Sequence, residues 1–330
     1  MTTARDVAEA TGYAVSTVSN VLNDNKTFVV PQETRRIIKE AAARLGYRPN
    51  YFARALRRQR SYLVGVTGSL FGCEVSCLQL RGIVDPLRRA GYVAFFADTG
   101  GGAEREEQVL RELCHKQIEG LIVHGHISLD ALERVAPETL PCVLMVDREI
   151  PGRHCVVADR AASMEQATRR LLELGHTRIA LAIWEPTGGH PKVEGFRRAM
   201  QSAGLWRDGL LLHIPEPAGS RPEYVARHRR RFEELTAVLC ADDQIAAEII
   251  AGLAMIGRRV PQDCSVVGYD DADVAVAVQP RLTTLRQPRQ EAGELAVKML
   301  LDLMAGRPVT TQRLPHALVE RESTGPCPAA

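Results

Sequence analysis

No apolar run in this 330-residue chain approaches the ~20 residues needed to cross a bilayer. The opening MTTARDVAEATG has no basic segment ahead of an apolar stretch, so no secretory signal is expected and a cytoplasmic location is. None of the eight cysteines (73, 77, 114, 142, 155, 240, 264 and 327) forms a CxxC pair. Most sit in apolar runs such as PCVLMV and AVLCADD, the pattern of reduced, largely buried thiols rather than of a disulfide framework or a zinc site. The Gly-rich DTGGGAE lacks both GxGxxG and a GK[ST] ending, which makes it a turn rather than a phosphate loop. His124 and His126 of VHGH lie on one side of a strand end, but without a third ligand they suit pocket lining better than metal. No nucleophile–base constellation emerges, so neither an enzyme nor a cofactor is expected.

What is present is an ordinary globular balance, 45% hydrophobic and 25% charged, in a chain too long for one compact core. The net charge of +2 conceals an asymmetry. Residues 1–60 hold 11 Lys+Arg against 5 Asp+Glu, net +6, and the remainder holds 31 against 35, net −4. A small basic unit on a mildly acidic body suggests that the front end alone meets a polyanion.

Three short helical patterns fill that basic unit. TARDVAEAT has Thr3 as N-cap and Val7, Ala8 and Ala10 as its apolar side, and Gly12 permits a tight turn. In YAVSTVSNVLN, Val15, Val18, Val21 and Leu22 suit a core, and the other face offers short polar groups and no acid. PQETRRIIKEAAARLG places Pro31 in a first turn, Ile37, Ile38, Ala41 and Leu45 on a stripe, and Gly46 at the stop. Two helices joined by a glycine turn and closed by a third make a helix-turn-helix layout. A second helix lying in the major groove excludes acids, which repel phosphate, and favours short side chains that reach base edges.

The runs TVSNVLN and PQETRRIIKEAAARLGYRPNYFARAL resemble the headpiece of the lactose-repressor (LacI/GalR) family of bacterial transcription regulators. The resemblance spans nearly the whole chain, returning in LELGHTRIALA, VLCADDQIAAEII, VPQDCSVVGYDD, QPRLTTLRQP and VERES. It implies a headpiece over 1–49, a hinge helix or linker over 50–60, and an effector-binding and dimerisation domain over 61–330. In relatives the hinge helix folds on specific DNA and wedges a leucine into the minor groove. Leu56 matches that residue here, Ala53 the close helix–helix contact, and Arg54 and Arg57 supply phosphate neutralisation. The expected DNA-contacting set is Thr3, Val15, Ser16, Thr17, Ser19, Asn20, Asn23, Tyr47, Asn50, Ala53, Arg54, Leu56 and Arg57. Within it, Val15, Ser16 and Asn20 face base edges, and Thr17 and Ser19 meet phosphates. Relatives usually carry Arg where this chain has Asn20 and a capping Ser where it has Ala14.

From about residue 61 apolar strands (YLVGVT, YVAFFA, GLIVHG, CVLMVD, CVVAD, RIALAI, AVLCA, CSVVGY) alternate with helical stretches, the signature of parallel α/β sheets covered on both faces. The resemblance implies a periplasmic-binding-protein-like pair of subdomains, one over 61–159 plus 288–314 and the other over 160–287 plus 315–330. Ligands of such sheets sit beyond the strands' carboxyl ends. Asp147, Asp159, Trp184, Lys192, Asp242 and Asp270 fall there and match effector positions. Lys192 stands where relatives usually carry Arg, and Asp242 where they carry Asn. Asp243 and Asp271 are expected to be helix N-caps.

The chain is therefore expected to be a DNA-binding transcription regulator, in the first place a repressor. It would bind a palindromic operator as a homodimer under allosteric control by a small, polyhydroxylated, uncharged, sugar-like metabolite, without membrane contact. Its end, VERESTGPCPAA, shows no leucine heptads, so the tetramer-forming tail of some relatives is not expected. A solute-binding protein would share the body but not the basic headpiece.

Overall fold

The computed structural model describes residues 2–23, 28–47, 60–68, 76–100, 103–125, 128–184, 190–214 and 220–329. Asn50, Ala53, Arg54, Leu56, Arg57, His126 and Cys73 lie outside them. The chain divides into two compact units, Met1–Tyr62 and Leu63–Ala330.

The first unit contains α1 (Ala4–Thr11), α2 (Val15–Leu22) and α3 (Gln32–Arg44). Thr3 and Asp6 form a reciprocal capping box at the start of α1. Gly12, at φ 72°, closes α1 in the left-handed conformation that glycine adopts without a Cβ penalty. Val7, Ala8, Val18, Val21, Ile38, Ala41 and Ala42 are buried together. Five expected core positions are not in that set: Val15 is 45% exposed, Leu45 is 36% exposed, Ala10 is exposed, and Leu22 and Ile37 are half-buried. An eight-residue helix has room for one narrow stripe, and α2 spends it on Val18 and Val21. Pro31 is the N-cap of α3 rather than its first turn. At the other end Gly46 N–H donates to Ala43 O and Tyr47 N–H to Ala42 O, a Schellman closure.

The second unit holds two six-stranded sheets. Its strands are β1 (Leu63–Gly68), β2 (Val93–Asp98), β3 (Gly120–His124), β4 (Cys142–Val146), β5 (Cys155–Ala158), β6 (Ile179–Ile183), β7 (Leu211–His213), β8 (Ala237–Cys240), β9 (Ser265–Asp270), β10 (Thr283–Arg286), β11 (Gln312–Leu314) and β12 (Ala317–Val319). Its helices are α4 (Ser76–Arg89), α5 (Ala103–His115), α6 (Leu129–Val135), α7 (Arg160–Glu173), α8 (Pro191–Ser202), α9 (Arg221–Arg227), α10 (Arg229–Glu234), α11 (Asp243–Met255), α12 (Val274–Ala277) and α13 (Arg289–Met304).

The first sheet runs β11-β5-β4-β3-β1-β2, all parallel. The second runs β12-β10-β9-β8-β6-β7, parallel except that β12 is antiparallel to β10. The eight apolar runs all form strands. Strands β7, β10, β11 and β12 were not anticipated: they are three or four residues long, and three of them border polar segments without an apolar run. The chain passes between the sheets three times, at β5 to α7, at β10 to α13, and at β11 to β12. Close helix packing supports each half. A Cβ on Gly195 of α8 would come within 2.0 Å of Ala161 O on α7, and one on Gly82 of α4 within 2.2 Å of Gln290 O on α13. Of the described cysteines, Cys155, Cys240 and Cys264 are buried, Cys114, Cys142 and Cys327 are intermediate, and Cys77 is exposed; all are free thiols, so burial is less general than expected.

Candidate functional site

The first unit presents one face of α2. Burial of Val18 and Val21 leaves Val15 and Ser16 exposed and Thr17, Ser19, Asn20 and Asn23 half-buried around them. No acidic side chain lies on this helix. Its N-cap, Ala14, makes no side-chain cap, so the start of α2 is held by backbone bonds alone. Asn23 turns inward and donates to Ser19 O at 2.7 Å, closing the C-terminal turn. Thr3 is engaged with Asp6 in the cap, and Tyr47 packs half-buried against the three-helix core. Of the described headpiece candidates on α2, Val15 and Ser16 are exposed, and Thr17, Ser19, Asn20 and Asn23 are half-buried beside them.

The second unit contains a cavity of about 430 Å³ at the carboxyl end of the first sheet. It lies over β3, β4 and β5, beyond the carboxyl ends of the strands, the side on which α/β sheets hold ligands. His124 and Gly125 reach it from β3, Met145 to Asp147 from β4, and Ala158 and Arg160 from the first crossover. Gln287, Pro288 and Arg289 reach it from the second crossover, and Gln79 and Ala292 from α4 and α13. Arg160 pairs with Asp147, its Nη1 donating to the carboxylate at 3.2 Å and its Nε lying 3.0 Å from the other oxygen.

Of the six expected effector residues, Asp147 alone lines this cavity. Asp270 stands one step behind it, accepting from Gln287 Nε2 at 2.5 Å and from Arg289 Nη2 at 2.7 Å. Its backbone is held at φ 117°, a conformation that costs a non-glycine residue energy and is retained where the surroundings over-determine it. Asp159 caps α7, its carboxylate accepting from Ala162 N at 2.9 Å. Lys192 is 6% exposed, with Nζ 3.8 Å from the centroid of the Tyr269 ring, 5.8 Å from that of Trp184, and donating to Ala241 O. Burial pushes its ammonium down to about 8, while neighbouring Asp270 works the other way. Trp184 also meets His190 edge-on at 6.4 Å.

The adjacent carboxylates exchange their expected roles. Asp242, not Asp243, is the N-cap of α11, accepting from Ile245 N at 2.6 Å. Asp243 is 1% exposed and accepts from Thr284 Oγ1 at 2.5 Å and Ala272 N at 2.7 Å; burial pushes its carboxyl up to about 7. Asp271 is no N-cap either: it bridges Arg286 and Arg321, each at 2.6 Å. A carboxylate's place relative to a helix start shifts by one residue with the turn that precedes it, and sequence spacing does not resolve that turn.

Arg160, Gln287, Arg289 and Gln79 were missed as cavity residues. Arg160 directly follows the run CVVAD, so its signal was visible. Arg289 was hidden because TTLR was not recognised as a strand. Among the described residues no group of three His, Cys, Asp or Glu side chains is placed to hold a metal ion, and no helix is long and apolar enough to cross a membrane.

A three-helix unit with a helix-turn-helix, ahead of two parallel-sheet halves with a cavity at their crossovers, defines a ligand-responsive DNA-binding regulator. The family description "Bacterial regulatory proteins, lacI family" matches residues 3–50, and "Periplasmic binding protein-like domain" matches 168–324. The HTH-type transcriptional regulator RegA of Clostridium saccharobutylicum is 30% identical over 331 residues, covering 98% of this chain and 99% of its own. The lac repressor dimer bound to operator and the anti-inducer ONPF has a TM-score of 0.86 at 26% identity, over 98% of this chain and 99% of that one. The transcriptional regulator CelR–cellobiose complex has a TM-score of 0.68 at 27% identity, over 98% of this chain and 100% of that one. The chain belongs to the lacI family of bacterial regulatory proteins, and its relatives are transcription regulators rather than enzymes.

Proposed function

We propose that this chain represses transcription in the cytoplasm by binding an inverted-repeat operator as a homodimer, and that a small metabolite entering the 430 Å³ cavity governs that binding. The observation that carries the DNA half is α2, an acid-free helix with Val18 and Val21 buried, Val15 and Ser16 exposed, and the short polar side chains of Thr17, Ser19 and Asn20 half-buried beside them. One headpiece contacts one half-site, so a palindrome requires two copies. Segment 50–59, with Ala53, Leu56 and the arginines beside them, acts as the hinge that enters the minor groove, and Asn50 and Tyr47 adjoin it.

The regulatory half is supported by where the cavity lies. Two of the three passages between the sheets, at Arg160 and at Gln287–Arg289, form part of its wall. A ligand that prefers one arrangement of these strands over another shifts the balance between two states, which is what allosteric control requires. The neighbouring CelR structure is a complex with cellobiose, and the polar wall here suits a hydroxylated ligand of similar kind. Asp147 takes part in the wall and Asp270 orients Gln287 and Arg289 from behind it, while roles for Asp159, Trp184, Lys192 and Asp242 in ligand binding rest on the family resemblance.

Fluorescence anisotropy with a palindromic operator and with random duplex, each across a salt series, tests the proposal. Specific binding should be tight and fall steeply with salt. Leu56→Ala should weaken operator binding far more than random binding, since a wedge acts only in the bent complex. Equal losses on both DNAs would reduce 50–59 to a tether, and no salt-dependent association would favour a solute-binding role for the body.

A further inference from the structure

We infer that the effector of this chain carries one carboxylate group on a hydroxylated frame, seated between the guanidinium groups of Arg160 and Arg289. This rests on the assignment of the 430 Å³ cavity as the effector site.

Among the described residues, the cavity wall holds two guanidinium groups and one carboxylate, that of Asp147. Both arginines are under-used by the protein. Arg289 has a side chain only 9% exposed and spends one donor, Nη2, on Asp270. Its Nε is buried with no hydrogen-bond partner. Arg160 Nε is likewise buried and, although 3.0 Å from Asp147, is out of line for a hydrogen bond. Each guanidinium has five N–H donors, and leaving buried donors unmet costs free energy that an incoming acceptor recovers. A carboxylate is the acceptor whose two oxygens match the guanidinium fork.

Independent features point the same way. The first turn of the sixteen-residue α13 forms part of the wall through Arg289 and Ala292, and its N-cap, Pro288, supplies no side-chain acceptor. Glu291 lies in that first turn, but no side-chain cap bond meets the leading amides, so the positive end of the helix is only partly offset. His316 and His190 nearby are both held down to about 4, first by burial and then by the cations Arg160 and Lys192.

The balance also limits the ligand's charge. The described lining residues carry two arginines against Asp147, a difference of one charge that a monoanion offsets, while Asp270 behind the wall pairs with Arg289. A phosphate monoester near −2 would bring a second negative charge beside Asp147 and Asp270, whose carboxylates are already within reach of the same arginines. The remaining polar wall groups suit hydroxyls. Gln79 is 7% exposed and its Nε2 is bonded only to Met145 Sδ, a weak acceptor, at 3.6 Å.

Calorimetric titration of the full chain with matched pairs tests this: D-gluconate against D-glucitol, D-glucuronate against D-glucose, D-galacturonate against D-galactose, and D-glucose 6-phosphate as the dianion. At least one acid should bind about tenfold or more tightly than its neutral partner, the size of one charge-assisted hydrogen bond. That preference should vanish in Arg160→Gln and in Arg289→Gln/Asp270→Asn; the double variant avoids leaving a buried carboxylate unpaired, and circular dichroism checks that both fold. Neutral sugars binding as well as their acids, the phosphate ester binding best, or no acid binding at all would overturn the carboxylate. Acid binding that survives both variants, or that leaves operator affinity unchanged, would instead overturn the cavity as the effector site.

Discussion

Asp242 and Asp243 are chemically identical neighbours with different burdens. Asp242 caps α11 at its edge, and removing a cap costs about 1 kcal/mol. Asp243 lies inside, where it satisfies the Thr284 hydroxyl and the Ala272 N–H. Asp243→Ala orphans both and should cost about 2–4 kcal/mol, against about 1 kcal/mol for Asp242→Ala. Urea unfolding of the two variants decides the order, and equal losses would mean that Asp243 is not the tie between α11 and the β9–β10 turns. Asn20 is the proposed base-reading residue of α2. Asparagine pairs with adenine and arginine with guanine, each contact discriminating by roughly 1–3 kcal/mol. Asn20→Arg should therefore move the selected half-site toward guanine at one position. Binding-site selection with both proteins checks this, and identical sites would show that residue 20 reads no base.

Element α2 is eight residues long with an uncapped start, which is marginal for a helix on its own. Its stability comes from Val18 and Val21 against α1 and α3, not from its ends. Supplying the missing cap by Ala14→Ser should stabilise α2 by about 0.5–1 kcal/mol, read as slower hydrogen exchange at its amides in the intact chain. Unchanged exchange would indicate that α2 opens only together with the whole headpiece. The exposure of Val15, at 45%, follows from the same geometry: it lies a turn ahead of Val18 but off the buried stripe.

Two expectations belong to the whole molecule. On the first sheet, β2 is an open edge with Val93 54% and Phe95 41% exposed, and Leu78 and Val84 are exposed on neighbouring α4. Apolar side chains clustered at an unprotected edge invite a partner. Phe95→Glu should convert a homodimer to monomer in sedimentation velocity and lower operator affinity with it; an unaltered dimer would move the interface elsewhere. The second concerns acid. His316, at the third crossover, is 7% exposed and held down to about 4. A histidine lowered on folding contributes stability that is complete above its unfolded value, near 6.5, and is lost as pH falls toward 4. The wild type should therefore lose up to about 3 kcal/mol relative to His316→Gln between pH 7 and 4. Asp243, raised to about 7, changes stability in the opposite direction, so the comparison is between the two proteins at each pH. A pH-independent difference would mean that His316 titrates normally.

Local pattern and family motif sufficed for much of this molecule. Eight apolar runs became strands because a strand buried on both faces must be apolar throughout. The headpiece helices were legible because glycine and proline punctuate them and valine spacing marks their faces. The basic front end and acid-free α2 spoke of DNA before any coordinates did. Tertiary structure decided what depends on neighbours distant in sequence. It made β12 antiparallel, exchanged the roles of Asp242 and Asp243, and turned Asp271 into an ion-pair bridge. It also set Asp147 against Arg160 and Asp270 against Arg289, across 13 and 19 positions of chain. Sequence counts charges, but whether an arginine's donors are spent or spare depends on which carboxylates the fold brings beside it, and that pairing sets the charge of the ligand the cavity can hold.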